Sequence, residues 1–184
     1  MNYYISDLHL GHKNIMSSKM SNRPFNSVEE MDEILIKNWN NIVKNEDDIY
    51  ILGDFCYKSG KNPKEYLNRL NGKKHLIVGN HDGQILRDPV CRKCFVEIKD
   101  MLNIKDGNKN LFLCHYPMAE WPGYFRETIH LYGHIHNNTT NDTYKIMYNL
   151  KNAYNVGADI LDFTPRALQD VIEYNLKFKN EHTI

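Results

Sequence analysis

The chain has 184 residues, and its 23 Lys and Arg balance 23 Asp and Glu to a formal charge of zero with neutral histidines. That length suits one domain over residues 1–184 with a substantial core, and the balanced charge excludes a broad cationic field for holding long nucleic acid. No basic amino end leads into an apolar run and no stretch reaches transmembrane length, so a soluble cytoplasmic protein is expected.

Tyr3-Tyr4-Ile5 reads as a short buried strand that delivers Asp7 and His9 into a loop, with His12 following Gly11. Ser27 with Glu30 matches a capping box, and Val28, Met31, Ile34, Leu35, Trp39, Ile42 and Val43 recur at helical spacing. A second strand, about Asp48 to Leu52, stops at Gly53-Asp54, and a short helix is expected from Asn62-Pro63 to Leu70. A third strand, about His75 to Val78, stops at Gly79-Asn80-His81-Asp82. Strand, helix, strand, helix, strand implies right-handed crossovers and a mostly parallel sheet.

Beyond the third strand, Cys91-Arg92-Lys93-Cys94 has CxxC spacing, but no second pair accompanies it. Phe95 to Ile104, the polar run Asp106 to Asn110, and Leu111 to Cys114 read as an antiparallel hairpin that stops at His115. A helical turn is expected at Tyr124 to Glu127, then a strand, Ile129 to Tyr132, that stops at Gly133-His134-Ile135-His136. After a polar turn at Asn138 to Asp142, Tyr144, Ile146 and Tyr148 alternate as in a strand. A last helix is expected from Thr164-Pro165 through Leu168, Val171, Ile172 and Leu176. The sum is an α/β chain with two sheets face to face and helices outside.

Carboxylate, imidazole and amide groups therefore follow strand after strand at one end of the sheets, where loops of open α/β folds converge. Asp54 can bridge two ions through its two oxygens. His134 and His136 flank Ile135 and would point the same way in an extended segment. Two ions about 3.5–4 Å apart can hold a hydroxide and polarise a phosphoryl group. His81 is placed to protonate the leaving group as a general acid, with Asp82 either orienting its ring or capping a turn.

The ordered set D-x-H, G-D, G-N-H-D, H and G-H-x-H, spanning Asp7 to His136 and extended by Asn155-Val156-Gly157, resembles the calcineurin-like metallophosphoesterase superfamily. The resemblance implies a four-layer α/β/β/α sandwich of two mixed sheets with outer helices. It implies that Asp7, His9 and His136 bind one divalent ion, that Asn80, His115 and His134 bind another, and that Asp54 bridges them. By the same resemblance His81 and Asp82 are catalytic, and His81 and Asn80 face the substrate phosphate.

Asn22-Arg23-Pro24-Phe25 through Trp39-Asn40 is similar to small bacterial and phage phosphoesterases of this superfamily. Arg23 can pair with a phosphate through its planar fork, or cap a turn. His12 is near enough in sequence to reach the same pocket. The expected function is hydrolysis of small phosphomonoesters or phosphodiesters by a metal-activated hydroxide. A nuclease or cyclic-nucleotide phosphodiesterase is the enzyme alternative, and a metal-binding scaffold the non-catalytic one. The mixed oxygen and imidazole donors suit manganese, iron, nickel, cobalt or zinc, and two divalent ions are expected, manganese first among them. A small phosphate ester is the expected partner, with no membrane and no long nucleic acid.

Overall fold

Side chains alternate along the strands in a way that assigns each to one of two cores. The computed structural model describes residues 1–184. In β1 (Asn2–Ile5) and β2 (Asp48–Ile51), Tyr4 and Tyr50 point to one side and Ile5, Ile49 and Ile51 to the other. The second group meets α1 (Val28–Ile42), whose Met31, Leu35, Ile36 and Trp39 form one buried stripe. Each such fully buried side chain contributes about 1.5–3 kcal/mol relative to exposure. Ser27 accepts from Glu30 N at 3.1 Å, while the Glu30 carboxylate reaches back to Asn26 N at 2.7 Å, one residue short of a reciprocal box.

The first sheet continues through β3 (Lys73–Ile77) to β4 (Phe95–Lys99) in the order β1-β2-β3-β4, parallel throughout. Between β2 and β3 lies α2 (Pro63–Leu67), capped reciprocally by Asn62 and Glu65. It stops before Leu70, which leaves it shorter than the expected helix. Short helices α3 (Gly83–Arg87) and α4 (Pro89–Arg92) precede β4.

The expected long hairpin strand is two strands in different sheets. A bend at Asp100 ends β4, and β5 (Met101–Asp106) then pairs antiparallel with β6 (Lys109–Cys114) across a turn in which Gly107 has φ 57°. The second sheet runs β5-β6-β7-β8, with β7 (Ile129–Tyr132) and β8 (Ala153–Asn155) parallel to β6. Only this sheet is mixed. Leu111, Leu113, Ile129 and Leu131 join Tyr4, Tyr50 and Ile77 between the sheets, and Phe112, Cys114 and Tyr132 face outward. The result is the α/β/β/α sandwich.

Two further expectations are revised. Tyr144, Ile146 and Tyr148 lie in α5 (Asp142–Tyr148), because Asn141 caps it by accepting from Tyr144 N at 2.7 Å and Tyr144 with Met147 share its buried face. The last helix, α6 (Leu168–Glu181), starts beyond Thr164-Pro165. Arg166 is held extended by exchanging backbone bonds with Tyr4, and the Thr164 hydroxyl donates to Asp162 O instead of capping. No helix is long and apolar enough to cross a membrane.

Candidate metal centre

The carboxyl ends of β1, β2, β3, β6 and β7 open onto one basin. Residues 7–10 run beside residues 53–55 there, with Asp7 N, His9 N and Leu10 N donating to Gly53 O, Asp54 O and Phe55 O at 3.0–3.1 Å. The backbone is left-handed at Asp7 (φ 54°), His9 (50°), Asp54 (53°), His134 (73°) and His136 (49°). Each costs a non-glycine residue on the order of 1 kcal/mol, and the concentration of that strain in the donor loops is what turns their side chains inward. Gly53 (φ 85°) and Gly79 let two of these loops touch, since a Cβ on Gly53 would lie 2.6 Å from Gly79 Cα.

Asp7, His9, Asp54 and His115 form a buried floor, His136 and His81 are half-buried, and Asn80 and His134 form the exposed rim. The donor atoms of Asp7, His9 and His136 lie within 4.8 Å of one another, as do those of Asp7, Asp54 and His115. Asp54 Oδ2 faces His9 Nε2 at 3.5 Å, His115 Nε2 at 3.7 Å and His81 Nε2 at 3.9 Å. Its Oδ1 accepts from His81 N at 2.8 Å. Oδ2 is thus the Asp54 oxygen that faces the three imidazoles.

These residues fit divalent ions on their own chemistry. Asp7 Oδ1 and both ring nitrogens of His9 are buried without any hydrogen-bond partner, which costs free energy unless something else satisfies them. The His115 Nδ1–H donates to Leu52 O at 2.7 Å, so its Nε2 carries a lone pair in the neutral ring. That lone pair points at the Asn80 amide oxygen 3.1 Å away, which also lies 3.1 Å from His134 Nδ1. A cation between His115 Nε2 and the Asn80 oxygen would reconcile two facing acceptors.

Burial drives the His9 ring down from its ordinary value, as it does His134, so both favour the neutral form that ligates. Burial works against the Asp54 carboxylate, but the His9 ring 3.5 Å away and the His115 ring outweigh it and bring the carboxyl to about 2. His134 and His136 do not run extended. Their left-handed backbones send Ile135 into the outer core, His134 Nδ1 to Asn80, and His136 Nδ1 to Asp159 Oδ2 at 3.0 Å.

Arg23, expected to pair with a phosphate or cap a turn, is buried beneath the donor loop. Its guanidinium is buried and saturated: Nε donates to Asp159 Oδ1 at 2.8 Å, Nη1 to Leu8 O at 2.7 Å, and Nη2 to Asp7 O at 2.6 Å and Asp159 Oδ2 at 3.2 Å. It buttresses the Asp7–His9 loop from behind. Asp82 does not orient the His81 ring, because its carboxylate accepts from Asp54 N, Phe55 N and Gly79 N at 2.8–3.0 Å and ties two loops together. Instead the His81 ring packs against Tyr57, centroids 3.8 Å apart and planes tilted by 34°.

His12 lies next to His9, ring centroids 5.4 Å apart, but it is sunk below the rim, and burial with the neighbouring His9 and His81 lowers it to about 4. Sequence reasoning missed Asp159, the acid that joins Arg23 to His136. Its only local signal is an acidic residue between Ala158 and Ile160, just after Asn155-Val156-Gly157. Asn155 itself donates to His136 O at 2.9 Å.

A model of calcineurin-like phosphoesterases matches residues 3–161. The chain belongs to that family. It is 34% identical over 185 residues to an uncharacterized protein of Methanocaldococcus jannaschii, covering 99% of this chain and 95% of that one. Over 84 residues it is 39% identical to the gene 66 protein of Mycobacterium phage L5, covering 44% of this chain and 39% of the phage protein. The solved structure of a protein of unknown function from Aquifex aeolicus superimposes with a TM-score of 0.72 at 29% identity, covering 94% of this chain and 98% of that one. A member of this phosphoesterase family with an Asp and His cluster at its strand ends is a candidate for divalent metal binding.

Proposed function

We propose that the protein is a hydrolase that works with two divalent ions, manganese foremost, on small phosphomonoesters or phosphodiesters. The observation that carries this reading is the set of buried, unpartnered donor atoms on Asp7 and His9 facing Asp54 Oδ2. When bound, such ions polarise a phosphoryl oxygen and lower the pKa of a water.

The chain's own residues do the rest. Leu52 O and Asp159 fix the rings of His115 and His136 with Nδ1 outward, leaving each Nε2 for a metal. Asn80 adds a neutral oxygen, which keeps the donor charge low. His81, half-buried at the rim and held by Tyr57, gives its ring proton to the departing alkoxide oxygen.

The test strips the protein with a chelator, restores Mn²⁺, and follows bis-p-nitrophenyl phosphate and p-nitrophenyl phosphate. Hydrolysis should vanish and return with the metal. Folded, metal-loaded protein that cleaves neither ester would remove the proposal.

A further inference from the structure

Beside the metal centre lies a cleft of about 310 Å³ between Tyr57–Lys58 and α3. Its walls include Asn80 and His81, so it continues the basin past the rim. No carboxylate lines it, while Lys58 and Arg87 both do. Where other cations of the chain meet a carboxylate, as in Arg23–Asp159, Arg69–Glu33 and Lys145–Asp142, their charge is already neutralised. Lys58 and Arg87 have neither an ion-pair partner nor a side-chain hydrogen bond.

Local structure aims both groups at the cleft. Lys58 has left-handed backbone (φ 47°) four residues after Asp54, and its Nζ lies 5.2 Å over the Tyr57 ring. Arg87 ends α3, yet its guanidinium folds back to the start of that helix: a Cβ on Gly83 would lie 3.1 Å from Nη1. That places the fork two residues beyond His81 in sequence, and Gln84 adds an amide on the same wall. The larger concavity against α6 is bordered by Asp162, Glu173 and Glu181 and would repel an anion.

We propose that this cleft binds a second phosphate group of the substrate, on the leaving-group side of the scissile bond. The proposal deepens the phosphoesterase reading and rests on it for the position of the first phosphate. The ring of His81 lines both spaces, so a group in the cleft lies beyond the proton donor, where the leaving group must be. A planar guanidinium with an ammonium and an amide suits a phosphate dianion. The shared chemistry is two phosphates, either separated by a nucleoside or joined directly.

The test is calorimetry on the manganese-loaded protein with thymidine 3′,5′-bisphosphate, thymidine 5′-diphosphate and the two thymidine monophosphates. Turnover of bis-p-nitrophenyl phosphate is recorded on the same preparation. At least one of the two doubly phosphorylated ligands should bind about 10-fold or more tightly than either monophosphate. The bisphosphate as winner assigns phosphates separated by a sugar, and the diphosphate assigns directly joined ones. In the Lys58→Ala, Arg87→Ala double variant the ratio should fall to within about 3-fold of unity. Both side chains are exposed, so an unchanged melting midpoint should accompany the loss.

Equal affinities in the wild type, or a preference that survives the double variant, would overturn the subsite while leaving the phosphoesterase reading intact. A bisphosphate preference lost in the variant, in protein that turns over no ester, would keep the subsite and sink the catalytic reading.

Discussion

Arg23 lies behind the donor loop, and its replacement by Ala should weaken the fold before it weakens substrate binding. The side chain is fully buried and Asp159 is 2% exposed, so truncation leaves a carboxylate without its cation. Removing one partner of a buried pair costs about 3–5 kcal/mol. Two carbonyls, Asp7 O and Leu8 O, also lose their donors, at about 1–3 kcal/mol each where water does not replace them. Because water enters the vacated volume, a total near 5 kcal/mol is expected, a large share of a stability of roughly 5–15 kcal/mol.

For a chain of this size about 2–4 °C accompanies each kcal/mol, so the melting midpoint should fall by about 10–20 °C. Circular dichroism in excess chelator reads this without a metal contribution. Arg23→Lys should lie between, since one ammonium can meet Asp159 but cannot span four acceptors. A variant that melts within about 2 °C of wild type while KM rises would refute the reasoning and return Arg23 to the phosphate.

His81→Asn should retain both ions yet depress turnover about 10²- to 10⁴-fold for an ester of a poor alcohol leaving group. The loss should be smaller for nitrophenolate, which needs little proton donation, and equal losses would mean that His81 positions the phosphate. Burial opposes ionisation of Asp159, but the Arg23 charge and the His136 hydrogen bond hold its carboxyl well below the ordinary value of 3.8. Its stabilisation is therefore complete above that value and is lost as pH falls through the depressed one. Asp159→Asn should be less stable than wild type at neutral pH, with the gap narrowing below about pH 4 in urea titrations. A gap that stays constant into strong acid would contradict this linkage.

The strand-end placement of Asp7, Asp54, Asn80, His115 and His134 was legible because apolar runs end abruptly at polar residues, three of them preceded by Gly, and caps such as Asn62 announce their helices. The assignment of partners was not. Whether Asp82 faces a ring or three backbone N–H groups, and whether Arg23 faces substrate or Asp159, depends on left-handed loop residues and contacts 27 to 136 positions apart. No periodicity encodes these. Alternation at Tyr144, Ile146 and Tyr148 misled for a related reason, since Asn141 and the spacing of Tyr144 to Met147 specify a helix equally well. The Phe95–Ile104 segment reads as one strand because a bend at Asp100, with no Gly or Pro, leaves no mark in the pattern.

Asp54 would help to hold both of the proposed ions, and metal content measures this directly. Protein loaded with Mn²⁺ and dialysed against trace metal should hold two ions per chain by elemental analysis. Asp54→Ala should lose both, and His136→Ala should lose one. Saturation at a single ion in the wild type, or an Asp54→Ala protein that keeps two, would contradict the account.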